Sequence, residues 1–542
     1  MTRLTAGVLA LACVSAAPAQ PARVTLSIVG TSDLHGVTAA TGRSGGLSML
    51  AGYVNNLRAA RAADGGAVLL LDSGDTFQGD VESNLSEGAV VVDAYNAMGY
   101  AAAAVGNHDF DFGAVDSAAA RQLPGDPRGA LKARAAQAHY PFLAANLIDE
   151  TTGRAVEWPN VRPSVLVEAA GIKVGIVGVM TTDALQSTLA GNVQGLRIAP
   201  LGSSIAMEAA RLRAAGAAVV VVAAHAGGRC ERFDAAEDLS SCDADTEIFR
   251  VARGLPPGLV DAIAAGHTHF GLAHVVNGVG IIQPFSRGQS FGRIDLVFDR
   301  RTGRVQRVQP FAPHPIEAGD YEGRTVTRDP AIIRAMAPAL QRVHALQATP
   351  LGVSLEAPIL RAGDGGSPIG NLFAEALRAA VPGADVAAVN NAARGLRADL
   401  PAGPLTLGRL YDVFPFDNLI AHTTLTGAEL AQWIAGEIQQ GRRDGLGISG
   451  VEVRTSCRSD GLHVDLFRGV ARIEDDEPLL AVAIGAPTPS GGLASPAFLG
   501  GVGPIGNAPV VREVVEDWFR RHGPSYRYPV AVEPPAVDCL VR

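Results

Sequence analysis

The sequence predicts an α/β fold divided into two domains. At 542 residues the chain is too long for one hydrophobic core. From residue 24 to about residue 299, short apolar runs that end in glycine or a polar cluster alternate with helix-like segments, which is typical of a layered α/β domain. Between about residues 312 and 330 the composition shifts to Pro, Gly, Glu and Asp, which indicates a linker between the domains.

The predicted strands of the first domain are, in order, VTLSIVG, GAVLLLDSGD, AAAAVGNHD, KVGIVGVM, AAVVVVAAHAG, LVDAIAAGHTH, GVGIIQPF and RIDLVFD. After the linker, PAIIRAMAPALQRVHALQ starts with proline and has apolar residues at helical spacing, so it predicts a connecting helix. PLGVSLEAPI opens the second domain, which contains the predicted helices GNLFAEALRAAV and APVVREVVEDWFRRH. The expected boundaries are a signal segment over 1–20, a first domain over 24–311, a linker with its helix over 312–349, a second domain over 350–525 and a tail over 526–542.

The N-terminal segment MTRLTAGVLALACVSAAPAQ predicts a cleaved signal peptide. It has one early arginine, an apolar stretch of secretory length and a small-residue ending at 17–19. Cleavage near Ala19 would make the protein secreted or periplasmic. Cys13 follows an Ala-Leu-Ala triplet but lacks leucine three residues before it, so a lipid-anchored protein is the less favoured alternative. No later stretch is apolar and long enough to span a bilayer.

Four cysteines remain after this segment, and they suggest two disulfides in an oxidising compartment. The most local pairing joins Cys230 to Cys242 and Cys457 to Cys539. Three connectivities remain open, because spacing does not choose among them.

The formal net charge of -9 argues against broad affinity for nucleic acid polymers or anionic membranes. Both of those partners need a dominant positive field. A phosphate-binding site in this chain must therefore be local.

Potential metal ligands follow the ends of several predicted strands. The candidates are Asp33 and His35 in SDLHG, Asp75 in DSGD, Asn107 in GNHD, His225 in AHAGG, and His267 and His269 in AGHTH. Ligands in open α/β sheets bind at the carboxyl ends of strands, so these segments are expected to converge on one crevice. A single histidine such as His225 is more often a hydrogen-bonded strand-end residue than a metal ligand. The prediction therefore rests on the joint pattern of all these residues.

This set of residue types suits a pair of divalent cations. Two cations a few ångströms apart need an anion between them and neutral imidazoles to complete their shells. Asp75 is the predicted bridge. Asp33, His35 and His269 would complete one site, and Asn107, His225 and His267 the other. Such a pair, about 3.5 to 4 Å apart, activates water and holds the attacking and leaving oxygens of a phosphoester. The expected metals are two divalent ions drawn from Zn, Mn, Mg or Co.

His108 and Asp111 form a predicted catalytic pair beside these ligands. They lie three residues apart, so in a first helical turn the carboxylate can hold the imidazolium over the developing phosphoryl charge. The alternative is that Asp111 caps the following helix. Asp109, between them, is predicted to be solvated.

The motifs DLHG, DSGD, GNHDFDFG, HAGG and GHTH, in this order, resemble the calcineurin-like metallophosphoesterase domain of the secreted 5'-nucleotidase family. The resemblance covers roughly the first half of the mature chain. It implies a four-layered α/β/β/α domain with two divalent metals on the residues named above and the His108–Asp111 dyad beside them. The family often has glutamine at the position of His269.

The segment 390–419, NNAARGLRADLPAGPLTLGRLYDVFPFDNL, resembles the α/β C-terminal substrate-binding domain of the same family. The resemblance implies that Arg397 binds an anionic group of the substrate, that Phe416 stacks on a base and that Asn418 hydrogen-bonds it. It also suggests Arg361 as a second anion-binding arginine and Phe498 as the other face of a base clamp. Two departures stand out: the loop before Arg397 is one residue longer and contains Arg394, and Val502 stands where the family has a ribose-binding aspartate.

These observations predict a secreted, dimetal-dependent phosphohydrolase, most specifically a 5'-nucleotidase that releases phosphate from nucleoside 5'-monophosphates by attack of a metal-bound hydroxide. Within the same class the alternatives are a UDP-sugar hydrolase, a 2',3'-cyclic-nucleotide phosphodiesterase and a hydrolase of a sulfur compound. The alternative from another class is a non-catalytic nucleotide-binding protein. A structural metal site is disfavoured, because such sites are closed single ions rich in cysteine. The connector is expected to act as a hinge.

Overall fold

The computed structural model describes residues 21–42, 44–116, 125–361, 366–390, 396–415, 418, 420–440, 446–459, 461–484, 503–504 and 510–529. The predicted signal peptide and Cys13 lie outside these residues. Within them, no helix combines the length and the apolar character that a membrane span requires.

The N-terminal part is built on two large sheets. Its strands are β1 (Arg23–Thr31), β2 (Ala67–Asp72), β3 (Ala102–Ala104), β4 (Phe142–Leu143), β5 (Leu147–Asp149), β6 (Arg154–Ala155), β7 (Val161–Arg162), β8 (Ser164–Ala169), β9 (Ile172–Met180), β10 (Leu196–Ile198), β11 (Val219–His225), β12 (Ala262–Ala265), β13 (Gly271–Val276), β14 (Val279–Pro284), β15 (Ser290–Asp299), β16 (Arg304–Pro315), β17 (Asp320–Tyr321) and β18 (Arg324–Thr325).

The first sheet has the order β16-β15-β1-β2-β3-β4-β7, in which β1, β2, β3, β4 and β7 run parallel. β15 is antiparallel to β1, and β16 is antiparallel to β15. The second has the order β13-β14-β12-β11-β9-β8, with a parallel centre and an antiparallel strand at each edge. Parallel central strands read as nearly continuous apolar runs because both of their faces are covered. The segment VVVVAAH of β11, buried at every position, follows this rule.

Helices cover the outer faces of both sheets. They are α1 (Leu47–Ala63), α2 (Val81–Asn84), α3 (Ala89–Met98), α4 (Gly129–Gln137), α5 (Leu201–Ala214) and α6 (Glu247–Gly254), with short 3₁₀ helices at His108–Phe110, Ala184–Gln186 and Ala190–Asn192. Leu26, Ile176 and Val221 belong to the apolar core between the sheets. Separate cores lie under α1, α3 and α4 on one side and under α5 and α6 on the other. This four-layer α/β/β/α order confirms the predicted fold class.

The next helix, α7 (Pro330–Gln347), has proline at its first position, and the Asp329 side chain accepts the Ala331 amide at 2.8 Å. Both features favour a helix start. Ile332 and Met336 of α7 are buried in the core that contains α1 and α3. The predicted connecting helix therefore packs on the N-terminal part.

The C-terminal part is a second α/β unit with its own apolar cores. Its strands are β19 (Pro350–Leu355), β20 (Val386–Asn390), β21 (Gly403–Thr406), β22 (Ile420–Thr426), β23 (Leu446–Ser449), β24 (Glu452–Arg458), β25 (Gly461–Arg468), β26 (Ala471–Arg472), β27 (Pro478–Ile484), β28 (Gly503–Pro504) and β29 (Ser525–Tyr526). Its helices are α8 (Pro368–Ala380), α9 (Leu407–Val413), α10 (Gly427–Gln439) and α11 (Val511–Arg521). The central sheet has the order β23-β20-β27-β22-β28.

The first of the two local disulfides is present. Cys230 and Cys242 are bonded and close a short loop beyond β11. Cys539, the predicted partner of Cys457, lies outside the described residues. The pairing of Cys230 with Cys242 confirms that part of the prediction.

Candidate metal centre

The predicted ligands lie at one edge of the two stacked sheets. Asp33, Asp75 and Asn107 follow β1, β2 and β3 of the first sheet. His225 ends β11, and His267 follows β12 of the second sheet. In a single open sheet, ligands bind along one edge. Here two sheets face each other, as expected for the four-layered fold, and the loops beyond their parallel strands meet from both sides.

The backbone at this edge is strained. Asp33, His35, Asp75, His267 and His269 all have φ between 49° and 76°, the left-handed region that side chains other than glycine rarely adopt. Such conformations persist only where the surroundings hold them, and they concentrate at functional sites. The strain turns these side chains towards one another.

In the first cluster, His35 and His269 approach each other through their Nε2 atoms at 3.1 Å. The His35 Nε2 also lies 3.9 Å from a carboxylate oxygen of Asp75, and the His269 Nε2 lies 3.5 Å from one of Asp33. The other nitrogen of His35 is 2.8 Å from the backbone oxygen of Gln78, to which it donates its proton. The His35 Nε2 therefore presents a lone pair to the cluster.

The second cluster repeats this arrangement around His225. Its Nδ1 donates to the backbone oxygen of Ser73 at 2.8 Å, which leaves the Nε2 facing Asp75 at 3.3 Å. The Asn107 Oδ1 lies 2.9 Å from the same Nε2, and the His267 Nδ1 lies 3.2 Å from it. Asn107 donates its amide to Ser187 at 2.9 Å, so its oxygen is the atom turned inward.

The donor set fits divalent cations. Nitrogen and oxygen lone pairs converge at two points, and Asp75 belongs to both clusters. Lone pairs that face each other need a positive charge between them, and imidazole with carboxylate suits borderline and hard cations. Burial lowers the pKa of His35 to about 4, which keeps that ring neutral. Burial would also lower the pKa of His225, but the Asp75 charge raises it to about 9, so this pocket attracts positive charge.

The prediction that Asp109 is solvated is wrong. Its side chain is buried, and its carboxylate accepts the backbone amides of Gly106 at 2.8 Å, Thr76 at 2.9 Å and Phe77 at 3.3 Å. Burial and the nearby charge of Asp75 raise the pKa of Asp109 to about 8. Asp109 thus joins the loop after β2 to the loop after β3. The prediction failed because amide donors from distant loops leave no local signal in the sequence.

His108 and Asp111 face each other as expected, with Nδ1 and Oδ2 2.7 Å apart. Thr188 donates to the other oxygen of Asp111 at 2.7 Å. No helix begins within the described residues 112–116, and α4 is capped at Arg128, so Asp111 does not cap a helix among the described residues. Burial would lower the pKa of His108, but the charges of Asp111 and Asp75 raise it to about 10. The dyad therefore holds an imidazolium beside the clusters. Sequence reasoning missed Thr188, which is distant along the chain.

Gly106 is required by the position of Asp75. A Cβ atom at residue 106 would overlap the backbone nitrogen and the Oδ1 of Asp75. We expect Gly106→Ala to displace this carboxylate and lower phosphoester hydrolysis at least tenfold, measured as kcat on p-nitrophenyl phosphate with saturating Mn²⁺. Gly254→Ala is the matched control, because nothing lies within 4 Å of a Cβ there. Equal activity of the two variants would contradict this reading.

The predicted substrate-binding residues are only partly described. Phe416, Phe498, Val502 and Arg394 lie outside the described residues. Arg361 is exposed, and its backbone amide donates to Asp399 at 2.6 Å. The Asn418 backbone oxygen accepts the amide of Val511 at 2.9 Å.

Arg397 lies at the boundary between the two parts of the chain. The charges of Arg287 and Asp80, both in the N-terminal part, act on its guanidinium. Nearby, the buried Asn84 side chain of the N-terminal part donates to the Pro415 backbone oxygen at 2.7 Å. Among the described substrate candidates, Arg397 thus faces charged residues of the N-terminal part.

Comparison with known proteins agrees with this architecture. Residues 349–479 match the family described as 5'-nucleotidase, C-terminal domain. The chain is 25% identical over 415 residues to the 5'-nucleotidase of Vibrio cholerae. This match covers 70% of the chain and 69% of the Vibrio protein. The chain is a homologue of the 5'-nucleotidases. The relatives include 5'-nucleotidases and a trifunctional nucleotide phosphoesterase of Bacillus subtilis, which confirms the predicted family likeness and enzyme class.

Two further comparisons extend this relationship. The chain is 23% identical over 411 residues to endonuclease YhcR of Bacillus subtilis; the match covers 75% of this chain but only 31% of that protein. The crystal structure of a 5'-nucleotidase precursor from Thermus thermophilus shares the fold with a TM-score of 0.58 and 21% identity, over 95% of this chain and 99% of that one.

Proposed function

We propose that this 5'-nucleotidase homologue is an exported enzyme that uses two divalent cations to release phosphate from nucleoside 5'-monophosphates. The observation that carries the proposal is the pair of ligand clusters that share Asp75. Export is supported by the signal-like pattern of residues 1–20 and by the Cys230–Cys242 disulfide.

Each cluster has a defined part in this proposal. Asp33, His35 and His269 would hold one cation, and Asn107, His225 and His267 the other, with Asp75 between them. When bound, such a pair lowers the pKa of water and offsets the charge on phosphoryl oxygens. The carbonyl groups of Gln78 and Ser73 fix the ring orientation of His35 and His225, as partners beyond the ligands commonly do.

His108 acts on the charge that develops during the reaction. Asp111 fixes its ring through Nδ1, so the Nε2–H is the group available to a phosphoryl oxygen. The His108 amide donates to the Asp75 Oδ1 at 2.8 Å, which sets the distance between the ring and the clusters. A preorganised donor of this kind stabilises the transition state more than the ground state.

The second domain would bind the rest of the substrate. By the family resemblance, Arg397 and Arg361 bind anionic groups, Phe416 and Phe498 enclose the base, and Asn418 hydrogen-bonds it. The position of Arg397 at the domain boundary supports its part in this arrangement.

The test is hydrolysis of AMP, UDP-glucose, 2',3'-cyclic AMP and p-nitrophenyl phosphate by purified protein loaded with Mn²⁺. The products are separated by chromatography, because hydrolysis of UDP-glucose or of the cyclic ester yields phosphomonoesters and no inorganic phosphate. We expect turnover of AMP that EDTA abolishes and Mn²⁺ restores, because the cations would activate the water and offset the charge on the phosphoryl oxygens. Turnover of UDP-glucose or cyclic AMP without AMP would replace the nucleotidase by one of those activities. No hydrolysis of any of these esters would contradict the proposal and favour a binding protein or a sulfur substrate.

A further inference from the structure

The loop that follows β9, residues 181–192, joins the second ligand cluster to the dyad. The Thr181 amide donates to the backbone oxygen of His225 at 2.8 Å, which ties the start of the loop to a predicted ligand. Further along, the Ser187 backbone oxygen accepts the side-chain amide of Asn107 at 2.9 Å. The loop therefore contacts the backbone of one predicted ligand and the side chain of another.

The next residue, Thr188, reaches the dyad with its side chain. It is 2% exposed, and its hydroxyl donates to the Asp111 Oδ1 at 2.7 Å. The Asp111 Oδ2 accepts the Nδ1–H of His108, also at 2.7 Å. Hydrogen bonds to an ionised carboxylate are short and strong. Each oxygen of this carboxylate thus has its own donor, and rotation of the carboxylate would break both bonds.

The hydroxyl of Thr188 is suited to this contact. The branch at its Cβ restricts the side-chain torsion, so the hydroxyl keeps one orientation towards Asp111. A valine side chain has the same shape and no donor. Packing alone therefore does not require a hydroxyl at position 188.

Asn192, at the end of the same loop, holds the backbone of the dyad. Its side-chain amide donates to the Phe110 backbone oxygen at 2.8 Å and lies 3.4 Å from that of Asp111. The Asp111 amide in turn donates to the backbone oxygen of His108 at 3.2 Å. With the backbone held in this way, the orientation of the Asp111 carboxylate depends on its contacts with Thr188 and His108.

The His108 ring lies close to the first ligand cluster, with its centroid 5.4 Å from that of the His35 ring. A small rotation of the Asp111 carboxylate would therefore change where the His108 Nε2–H points. We propose that Thr188 is a positioning residue that holds the Asp111 carboxylate so that His108 is aimed at the phosphoryl oxygen. The inference rests on the proposed function, because it assumes that His108 acts on a phosphoryl group.

The test removes the hydroxyl and measures kcat and KM on p-nitrophenyl phosphate with saturating Mn²⁺. Thr188→Val should lower kcat about 10- to 100-fold, because a misplaced group loses much of its effect on the reaction. KM and Mn²⁺ content should stay at wild-type values, since the contact with Asn107 uses a backbone oxygen of Ser187 that the substitution retains. Thr188→Ser keeps a hydroxyl and should recover most of kcat.

Thr181→Val is the matched control. Thr181 lies in the same loop and is also buried, and its hydroxyl donates to the carboxylate of Glu247 in α6 at 2.6 Å, away from the dyad. This variant should keep the wild-type kcat. In an Asp111→Asn background, Thr188→Val should change kcat less than about twofold, because the two residues act through one hydrogen bond.

A purely structural role of Thr188 gives a different pattern. Thr188→Val would then lower the melting temperature and leave kcat of the folded protein unchanged, or lower kcat equally with and without Asp111→Asn. Either result overturns the proposal. If Thr188→Val does not fold, Thr188→Ala gives the same comparison with a smaller side chain.

If the wild-type protein hydrolyses none of the esters, the proposed function fails, and NMR of the histidine ring protons decides the inference separately. The spectra are recorded with Mg²⁺, because Mn²⁺ is paramagnetic and broadens the signals. The Nδ1–H signal of His108 is identified by its loss in His108→Gln. A shift or loss of this signal in Thr188→Val but not in Thr181→Val supports the positioning role, and an unchanged signal in Thr188→Val overturns it.

Discussion

Asp75→Asn is expected to lower kcat for phosphoester hydrolysis by about 10³-fold or more, which corresponds to about 4 kcal/mol of transition-state stabilisation. The reason is that Asp75 faces both clusters, with one oxygen 3.3 Å from the His225 Nε2 and the other 3.9 Å from the His35 Nε2. Asparagine has nearly the same shape but no charge. It cannot offset the mutual repulsion of two cations, so at least one cation should be lost.

The measurement is kcat on p-nitrophenyl phosphate, together with the metal content of the purified variant. Asp261→Asn is the matched control: Asp261 is also a carboxylate in an ion pair, with Arg213 at 2.7 Å, but it precedes β12 rather than following it. The control should keep most of the activity. A folded Asp75→Asn protein with more than a tenth of the wild-type kcat would contradict a bridging role.

His108→Gln is expected to lower kcat by about 10²- to 10³-fold, the range seen when one preorganised donor is removed from an active site. Glutamine keeps a polar side chain but loses the positive charge that Asp111 and Asp75 maintain on the imidazole. His108 belongs to neither ligand cluster, so the variant should retain its metal. Activity should therefore fall without a fall in metal content, the opposite of the Asp75→Asn pattern.

The control for this variant is His139→Gln, which alters an exposed histidine at the end of α4. It should leave kcat unchanged. Loss of metal from His108→Gln would show that this residue acts as a ligand instead, and an unchanged kcat would remove it from the mechanism.

The sequence was sufficient for the strands that carry the ligand residues and for the residues at their ends. Apolar runs such as that of β11 are locally distinctive, and each is followed by a short polar segment that carries a ligand type. The facing of two sheets was expected only from the family resemblance and not from the strand patterns. It depends on apolar contacts between distant strands, as in the core that contains Leu26 and Ile176.

The partners around the ligands could not be predicted from the sequence either. The orientations of His35 and His225 depend on backbone oxygens of Gln78 and Ser73, and any residue type supplies a backbone oxygen. Asp109 binds amides from two loops, so its burial follows from the fold rather than from its neighbours in sequence.

The central claim is that two cations share Asp75, and a metal titration tests it most directly. Apoprotein prepared with a chelator would be titrated with Mn²⁺, while bound metal and p-nitrophenyl phosphate hydrolysis are measured in the same samples. We expect activity to rise until two equivalents of Mn²⁺ are bound per chain, and we expect Asp75→Asn to bind fewer than two. Saturation of activity at one equivalent, or hydrolysis by the metal-free protein, would contradict the account.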